Sequence, residues 1–154
     1  MRPSEPIRLC APGERALVLS LLDACHLPQE GLADHWDTTW VAGYPSDRGG
    51  VLGSVALEIY GDTALLRSLA AREDQRGKGL GSALFDFALA RATDRGVATV
   101  ALLTTTAAPF FARRGFETVP REALSPSLQA SAEFRGACPA SATAMLRRLV
   151  QAER

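Results

Sequence analysis

The chain has 154 residues, of which 47% are hydrophobic, and this is the size of one globular domain that buries its own core. Its 17 basic and 17 acidic residues cancel and are scattered, which excludes the electrostatic surface expected of a protein that binds nucleic acid or an anionic membrane. No segment approaches the roughly 20 apolar residues that span a bilayer, and the first residues lack the apolar stretch of a secretory signal, so we expect a cytoplasmic protein.

Hydrophobic periodicity and turn residues predict alternating strands and helices. In chain order these are a strand at 7–10, helices at 13–24 and 29–36, strands at 39–43, 51–60 and 63–71, a helix from Leu80 that stops near Gly96, a strand at 97–103, a short helix at 109–114, and strands at 116–119 and 142–150, with a turn-rich segment at 44–50. A strand, glycine turn, helix and strand in succession form a parallel crossover, whereas the hairpin before them is antiparallel. We therefore expect a single α/β (α+β) domain over residues 1–154, with a mixed central β-sheet flanked by helices.

A tight hairpin turn is predicted at Gly61 and Asp62, between two strands with alternating faces. With a two-residue turn, Glu58, Tyr60 and Arg67 share one face of the sheet. A register slip by one residue would scatter them, because neighbouring strand residues point to opposite faces.

The three cysteines, Cys10, Cys25 and Cys138, are widely spaced and accompanied by no CxxC pair and no histidine at metal-ligand spacing. This pattern predicts free thiols and no metal site. The alternative for Cys138 is a nucleophilic role, which would need a nearby base. His26 and His35 are interpreted as surface or helix-end residues rather than as catalysts.

A glycine-rich loop between a predicted strand and helix consists of Arg76, Gly77, Lys78, Gly79, Leu80 and Gly81. Consecutive backbone N–H groups and a helix N-terminus hold an anion without a specific side chain, so the loop predicts a phosphate cradle. It is not a Walker loop, and the dinucleotide fingerprint fails because its third glycine would fall on Ser82. An ordinary glycine-rich turn is the alternative.

Together with the strand before it and the later segment 110–116, which reads Phe-Phe-Ala-Arg-Arg-Gly-Phe, this loop resembles the GNAT-type N-acetyltransferases. The resemblance implies acetyl-coenzyme A as cosubstrate, with its pyrophosphate on the motif positions Arg76, Gly79 and Gly81. It further implies that backbone groups at the end of the strand, Leu69 to Ala71 with Ala70 between them, pair with the pantetheine and the acetyl carbonyl.

The chain departs from the common GNAT pattern at two points. The tyrosine that often protonates the leaving thiolate is Phe111 here, which leaves Phe111 as a coenzyme-binding residue, and the asparagine that many members place after the fifth strand is absent from a chain with none. A thiol with a pKa near roughly 8.5 still leaves as its anion or takes a proton from water. Catalysis then rests mainly on positioning and on backbone stabilisation of the oxyanion.

Further stretches resemble the arsenic-resistance N-acetyltransferases and, more distantly, the acetylglutamate-synthase type of amino-acid acetyltransferase. They are Tyr60-Gly61-Asp62 with 64–69, residues 103–106 with Phe110-Phe111, and residues 131–134 with 138–142. This resemblance implies a small-molecule amine acceptor, namely the α-amine of a small acidic amino acid or a toxic analogue that is glutamate-like, arsinothricin-like or phosphinothricin-like.

For such an acceptor, Glu58 is the predicted general base and Arg67 the anchor for a carboxylate, because the acceptor amine must lose a proton before it attacks. The alternative is an ion pair on a half-exposed sheet face. Other residues predicted to bind the acceptor are Ser68, Tyr60, Thr104, Thr105, Thr106 and Arg135. The threonines end a parallel strand, where ligands collect, although β propensity alone would also explain them.

Two other functions stay open on the sequence. One is acetylation of a protein N-terminus or lysine, which predicts an open acceptor groove. The other is a catalytically idle acetyl-coenzyme A sensor, suggested by the missing tyrosine. A homodimer is an expectation from the family alone.

Overall fold

The computed structural model describes residues 6–43 and 50–149. Within these ranges the strands are β1 (Ile7–Leu9), β2 (Thr39–Ala42), β3 (Gly53–Tyr60), β4 (Thr63–Ala71), β5 (Thr99–Thr104), β6 (Glu117–Thr118) and β7 (Thr143–Arg148). The α-helices are α1 (Arg15–Ala24), α2 (Leu80–Asp94), α3 (Ala108–Ala112) and α4 (Pro126–Gln129). Over the same ranges, a membrane-spanning helix is not found.

The strands form one sheet in the order β1-β2-β3-β4-β5-β7-β6. The neighbours β4 and β5 run parallel, and the other pairs are antiparallel. The predicted mixed sheet is therefore confirmed, as is the two-residue hairpin, in which Tyr60 pairs with Thr63 and Glu58 with Leu65.

The ends of several elements differ from the predictions. In place of the helix predicted at 29–36 there are 3-10 turns at Leu32–Thr38, because Gly31 starts them with a left-handed φ of 82° and His35 interrupts the helical geometry. The long connection before β7 holds α4, which begins after the cap Ser125, and a π-helical turn at Glu133–Ala137. The predicted turn at 44–50 lies almost wholly outside the described residues.

Helices cover both faces of the sheet. On one face, α2 packs Leu84, Phe85 and Ala88 against strand residues such as Leu57. Gly53 has no room for a Cβ, because Leu84 Cδ1 and the Ala70 carbonyl would lie within 3 Å of it. On the other face, a second cluster includes α1 and alternate strand residues, among them Val18, Leu22, Val41, Ala56 and Ala70.

A β-bulge interrupts the pairing of β4 with β3. Between the pairs Ser54 with Ala70 and Ala56 with Arg67, β4 contains one residue more than β3, and Ser68 adopts a left-handed φ of 61°. Such a bulge bends its strand and increases the local twist. Parallel pairing of β4 with β5 joins residues 63–65 to 99–101, and the later halves of both strands line a common cavity.

Candidate active site

The cavity between β4 and β5 has a volume of about 1290 Å³. Its walls come from residues 66–71 of β4, residues 102–104 of β5, the end of α1 and the residues that follow it, and the segment before β7. The carboxyl ends of parallel strands are a common position for ligand sites. We therefore expect the predicted site residues to line this cavity.

The glycine loop lies at one end of this cavity, where Arg76 and Gly81 line the wall. Gly77 and Gly79 have φ values of 79° and 85°, a region that glycine adopts without strain. Gly79 is the N-cap of the 15-residue helix α2, whose first turn carries no acidic residue. Free N–H groups and the positive end of the helix dipole thus suit an anion such as a pyrophosphate.

The side chains of the loop divide by position. Lys78 is exposed, whereas the side chain of Leu80 belongs to the hydrophobic core, and neither residue lines the cavity. The Arg76 guanidinium donates a hydrogen bond to the Cys25 sulfur at 3.3 Å, and this sulfur is 3.7 Å from the Ala71 carbonyl oxygen. The loop is thereby joined to the end of β4.

The end of β4 and the end of β5, with the two residues that follow β5, line the cavity at the residues predicted to bind ligands. These residues are Leu69, Ala70, Ala71, Thr104, Thr105 and Thr106. The Thr104 hydroxyl accepts the Ala107 N–H at 2.9 Å and so fixes the start of α3. Phe111 also lines the cavity, and its ring packs 5.0 Å from Phe110 and 5.8 Å from Phe116 between centroids. No hydroxyl is available on that wall at Phe111.

The residues Glu58, Tyr60 and Arg67 form a hydrogen-bonded cluster. Arg67 Nη1 lies 2.7 Å from Glu58 Oε2, and the Tyr60 hydroxyl donates to Glu58 Oε1 at 2.5 Å. The side chains of Arg67 and Glu58 are 0% and 1% exposed. The alternative interpretation, an ion pair on a half-exposed sheet face, is therefore wrong about the exposure. Burial, with the neighbouring carboxylate Glu58, raises the pKa of Tyr60, which keeps its hydroxyl protonated.

Arg67 has further partners around its guanidinium. Its Nη2 donates to the Pro28 carbonyl at 3.2 Å, its Nε donates to the Ser68 hydroxyl at 3.2 Å, and the same Nε lies 3.4 Å from Glu133 Oε2. A substrate carboxylate that binds Arg67 must therefore compete with Glu133, which makes the longer of the two carboxylate contacts. Ser68 lies on the cavity wall and holds the Arg67 side chain in place.

Glu133 is not among the site residues predicted from the sequence, yet it lines the main cavity together with Cys138. Burial raises the pKa of Glu133 to about 7, with Glu58 acting in the same direction and Arg67 against it. Burial and the adjacent carboxyl Glu133 raise the pKa of Cys138 to about 12. A raised thiol pKa disfavours the thiolate and so argues against the nucleophilic role considered for Cys138. The pairing of Glu133 with Arg67 spans 66 positions of chain, so no local pattern predicts it.

Arg135 does not line the main cavity. It lies on a second cavity of about 540 Å³, together with Glu58, Tyr60 and His35. His35 Nε2 is 3.8 Å from Glu58 Oε1, and its side chain is 20% exposed, so it is a half-buried neighbour of the cluster rather than a surface residue. His26 follows α1 and lines the main cavity, in agreement with the helix-end interpretation.

Comparison with known proteins identifies the family. The model described as "Acetyltransferase (GNAT) domain" matches residues 35–118, which is more than half of the chain. A protein of Chlorobaculum tepidum described as an uncharacterized N-acetyltransferase is 35% identical over 94 residues, which are 60% of this chain and 58% of that protein. The chain thus matches less than two thirds of this relative's length.

Solved structures share the fold. N-acetylglutamate synthase from Neisseria gonorrhoeae, complexed with coenzyme A and N-acetyl-glutamate, superposes with a TM-score of 0.81 at 21% identity, over 98% of this chain and 36% of that one. Rv2747 from Mycobacterium tuberculosis, in complex with CoA and NLQ, gives a TM-score of 0.79 at 24% identity, over 94% and 99%. Because the family model matches more than half of it, the chain belongs to the GNAT acetyltransferases.

Proposed function

We propose that the protein transfers the acetyl group of acetyl-coenzyme A to the α-amine of a small amino acid or an analogue of one. The observation that carries this proposal is that one cavity is lined both by the anion cradle, at Arg76 and Gly81, and by a cluster of ionisable side chains, namely Arg67, Glu133 and Cys138. The cradle suits the pyrophosphate of the coenzyme. The cluster supplies groups that bind and deprotonate an amine.

Acetyl-coenzyme A supplies the activated acetyl thioester. Residues 76–81 would hold its pyrophosphate, and backbone groups from Leu69 to Ala71 would bind the pantetheine. Phe111 and the aromatic rings around it provide an apolar wall. The chain's residues contribute position and electrostatics, and the thiolate leaves as its anion or takes a proton from water.

The acceptor that we propose is an acidic amino acid or a toxic analogue, such as a glutamate-like, arsinothricin-like or phosphinothricin-like compound. The basic wall residue Arg67 supports this, because a substrate carboxylate that displaces Glu133 would form a charge-assisted pair with Arg67. The likeness to a synthase that was crystallised with N-acetyl-glutamate is consistent with such an acceptor.

The principal competing function is a coenzyme-binding sensor without catalysis. One observation favours the sensor: Phe111 occupies the position of the tyrosine whose hydroxyl often protonates the leaving thiolate. The sensor and the enzyme make different predictions, since both bind acetyl-coenzyme A but only the enzyme releases coenzyme A thiol when an amine is added.

The test is thiol release from acetyl-coenzyme A in the presence of glutamate, neutral and basic amino acids, phosphinothricin, arsinothricin, polyamines and short peptides. Saturable turnover confined to acidic amino acids or their analogues is expected. Turnover confined to peptides would replace the proposed acceptor with a protein. No turnover with any amine, from protein that binds acetyl-coenzyme A by calorimetry, would favour the sensor.

A further inference from the structure

The buried carboxyl groups of Glu58 and Glu133 both contact the guanidinium of Arg67, but they line different cavities. Glu58 lines the smaller second cavity, whereas Glu133 lines the main cavity, whose other end is the phosphate cradle. A group that removes a proton from an amine at the acetyl thioester must reach that amine. By position, Glu133 meets this requirement and Glu58 does not.

The contacts of the two carboxyl groups support the same distinction between Glu133 and Glu58. Each oxygen of Glu58 already has a partner, Oε1 from the Tyr60 hydroxyl and Oε2 from Arg67 Nη1. For Glu133, Oε2 lies 3.4 Å from Arg67 Nε, a looser contact than either contact of Glu58, and the Cys138 thiol is a neighbour of its carboxyl. Glu133 therefore retains acceptor capacity that Glu58 has committed to its neighbours.

We propose that Glu133 is the general base of the acetyl transfer, and that Glu58 is a positioning residue that holds Arg67. The amine nitrogen forms a bond to the acetyl carbonyl carbon, the carbon–sulfur bond breaks, and the coenzyme leaves as its thiolate. The proton lost by the amine passes to the Glu133 carboxylate and from there to water. This inference rests on the acetyl transfer proposed above.

The surroundings of Glu133 suit a group that changes its protonation near neutral pH. The charged and titratable groups that face it are Arg67 on β4, Glu58 on β3 and Cys138 on its own segment, while Arg121 faces Cys138. Two carboxylates and one guanidinium carry an excess negative charge in a buried site. Burial raises the pKa of Glu133 to about 7. With a pKa near the working pH, a carboxylate is available as a base and still accepts a proton readily.

The experiment measures kcat/KM between pH 5.5 and 8.5 for the wild-type protein, Glu133→Gln and Glu133→Asp, with the acceptor found in the thiol-release assay. In the wild type, kcat/KM should rise through an inflection near pH 7. Glu133→Gln should lose that inflection and about 100-fold of activity at pH 7.5. Glu133→Asp should retain the inflection with a smaller loss. Glu117→Gln, on the exposed edge strand β6, is the matched control and should behave as the wild type.

Acetyl-coenzyme A affinity, measured by calorimetry on each variant, separates loss of the base from loss of the fold. Unchanged affinity together with a flat pH profile for Glu133→Gln would support the inference. An inflection near pH 7 that persists in Glu133→Gln would overturn the role of Glu133 and leave the acetyl transfer intact. Wild-type protein that binds the coenzyme but acetylates no amine would overturn both. If Glu133→Gln does not bind the coenzyme, the Glu133→Asp profile decides, and an unshifted, fully active profile counts against the base.

Discussion

Arg67 Nη1 and Glu58 Oε2 lie 2.7 Å apart, and neither side chain is more than 1% exposed. A buried pair of this kind gains little over an apolar pair of similar shape, but loss of one partner leaves the other as an unpaired buried charge. The consequence is larger here, because Glu133 is a second carboxyl beside the same guanidinium. The site therefore depends on Arg67 for both charge balance and geometry.

The first prediction concerns this dependence. Arg67→Gln should lower the free energy of unfolding at pH 8 by about 3 to 5 kcal/mol, because two buried carboxylates then lack a counter-charge. Urea denaturation measures the loss, which should be smaller at pH 5, where the carboxyl groups take up protons more readily. Arg91→Gln breaks a surface pair with Asp94 and should cost less than about 1 kcal/mol. A loss below about 1 kcal/mol for Arg67→Gln would contradict the charge-balance role.

The part of this cluster within the hairpin was accessible from the sequence. Alternation and the two-residue turn place Glu58, Tyr60 and Arg67 on one face, and the observed register agrees. The contribution of Glu133 was not accessible, since it depends on how the connection before β7 folds back over the sheet. Such long-range contacts leave no periodic signal, and a π-helical turn follows no simple propensity.

The coenzyme end of the site shows the same contrast between features that a local sequence pattern predicts and features that depend on tertiary contacts. The glycines of the loop and its place between a strand and a helix predict an anion site, and the left-handed φ values of Gly77 and Gly79 agree with it. The bulge at Ser68 was not predicted, although Ser68 lines the cavity between β4 and β5. A serine with a left-handed φ has no strong sequence signature, because tertiary contacts impose that conformation.

The second prediction uses the left-handed backbone of Gly79. Gly79→Ala should cost roughly 1 to 2 kcal/mol through backbone strain, since a Cβ at this position meets no atom within 4 Å. The shifted backbone should also weaken acetyl-coenzyme A binding about tenfold in calorimetry. Gly13→Ala, where φ is not left-handed and space is equally open, should change neither quantity. Full affinity in Gly79→Ala would argue against the cradle.

The third prediction concerns stability and pH. The pKa of Glu133 is about 7 in the folded protein, against an ordinary value of 4.5. Between these values the folded protein keeps a proton that the unfolded chain loses, so the contribution of Glu133 to stability is present below about pH 4.5 and is lost as the pH rises to 7. Glu133→Gln should therefore gain about 3 kcal/mol relative to the wild type between pH 4.5 and 8.

Urea denaturation at both pH values measures this gain as a difference between variant and wild type, which cancels the contributions of other groups such as Glu14. The exposed control Glu117→Gln should show a difference within about 0.5 kcal/mol over the same range. A difference between Glu133→Gln and the wild type that stays constant from pH 4.5 to 8 would contradict the raised pKa of Glu133.

The last prediction separates the two glutamates by kinetics. Glu58 raises the pKa of Glu133, and Arg67 lowers it. Glu58→Gln removes the first effect and leaves Arg67 free to pair with Glu133, so the inflection of kcat/KM near pH 7 should move to lower pH. If Glu58 were instead the base, as the sequence predicts, the inflection would disappear in Glu58→Gln and activity would fall most at acidic pH. Profiles of Glu58→Gln and Glu133→Gln, measured with the same acceptor and with acetyl-coenzyme A affinity as the folding check, therefore assign the proton to one carboxyl.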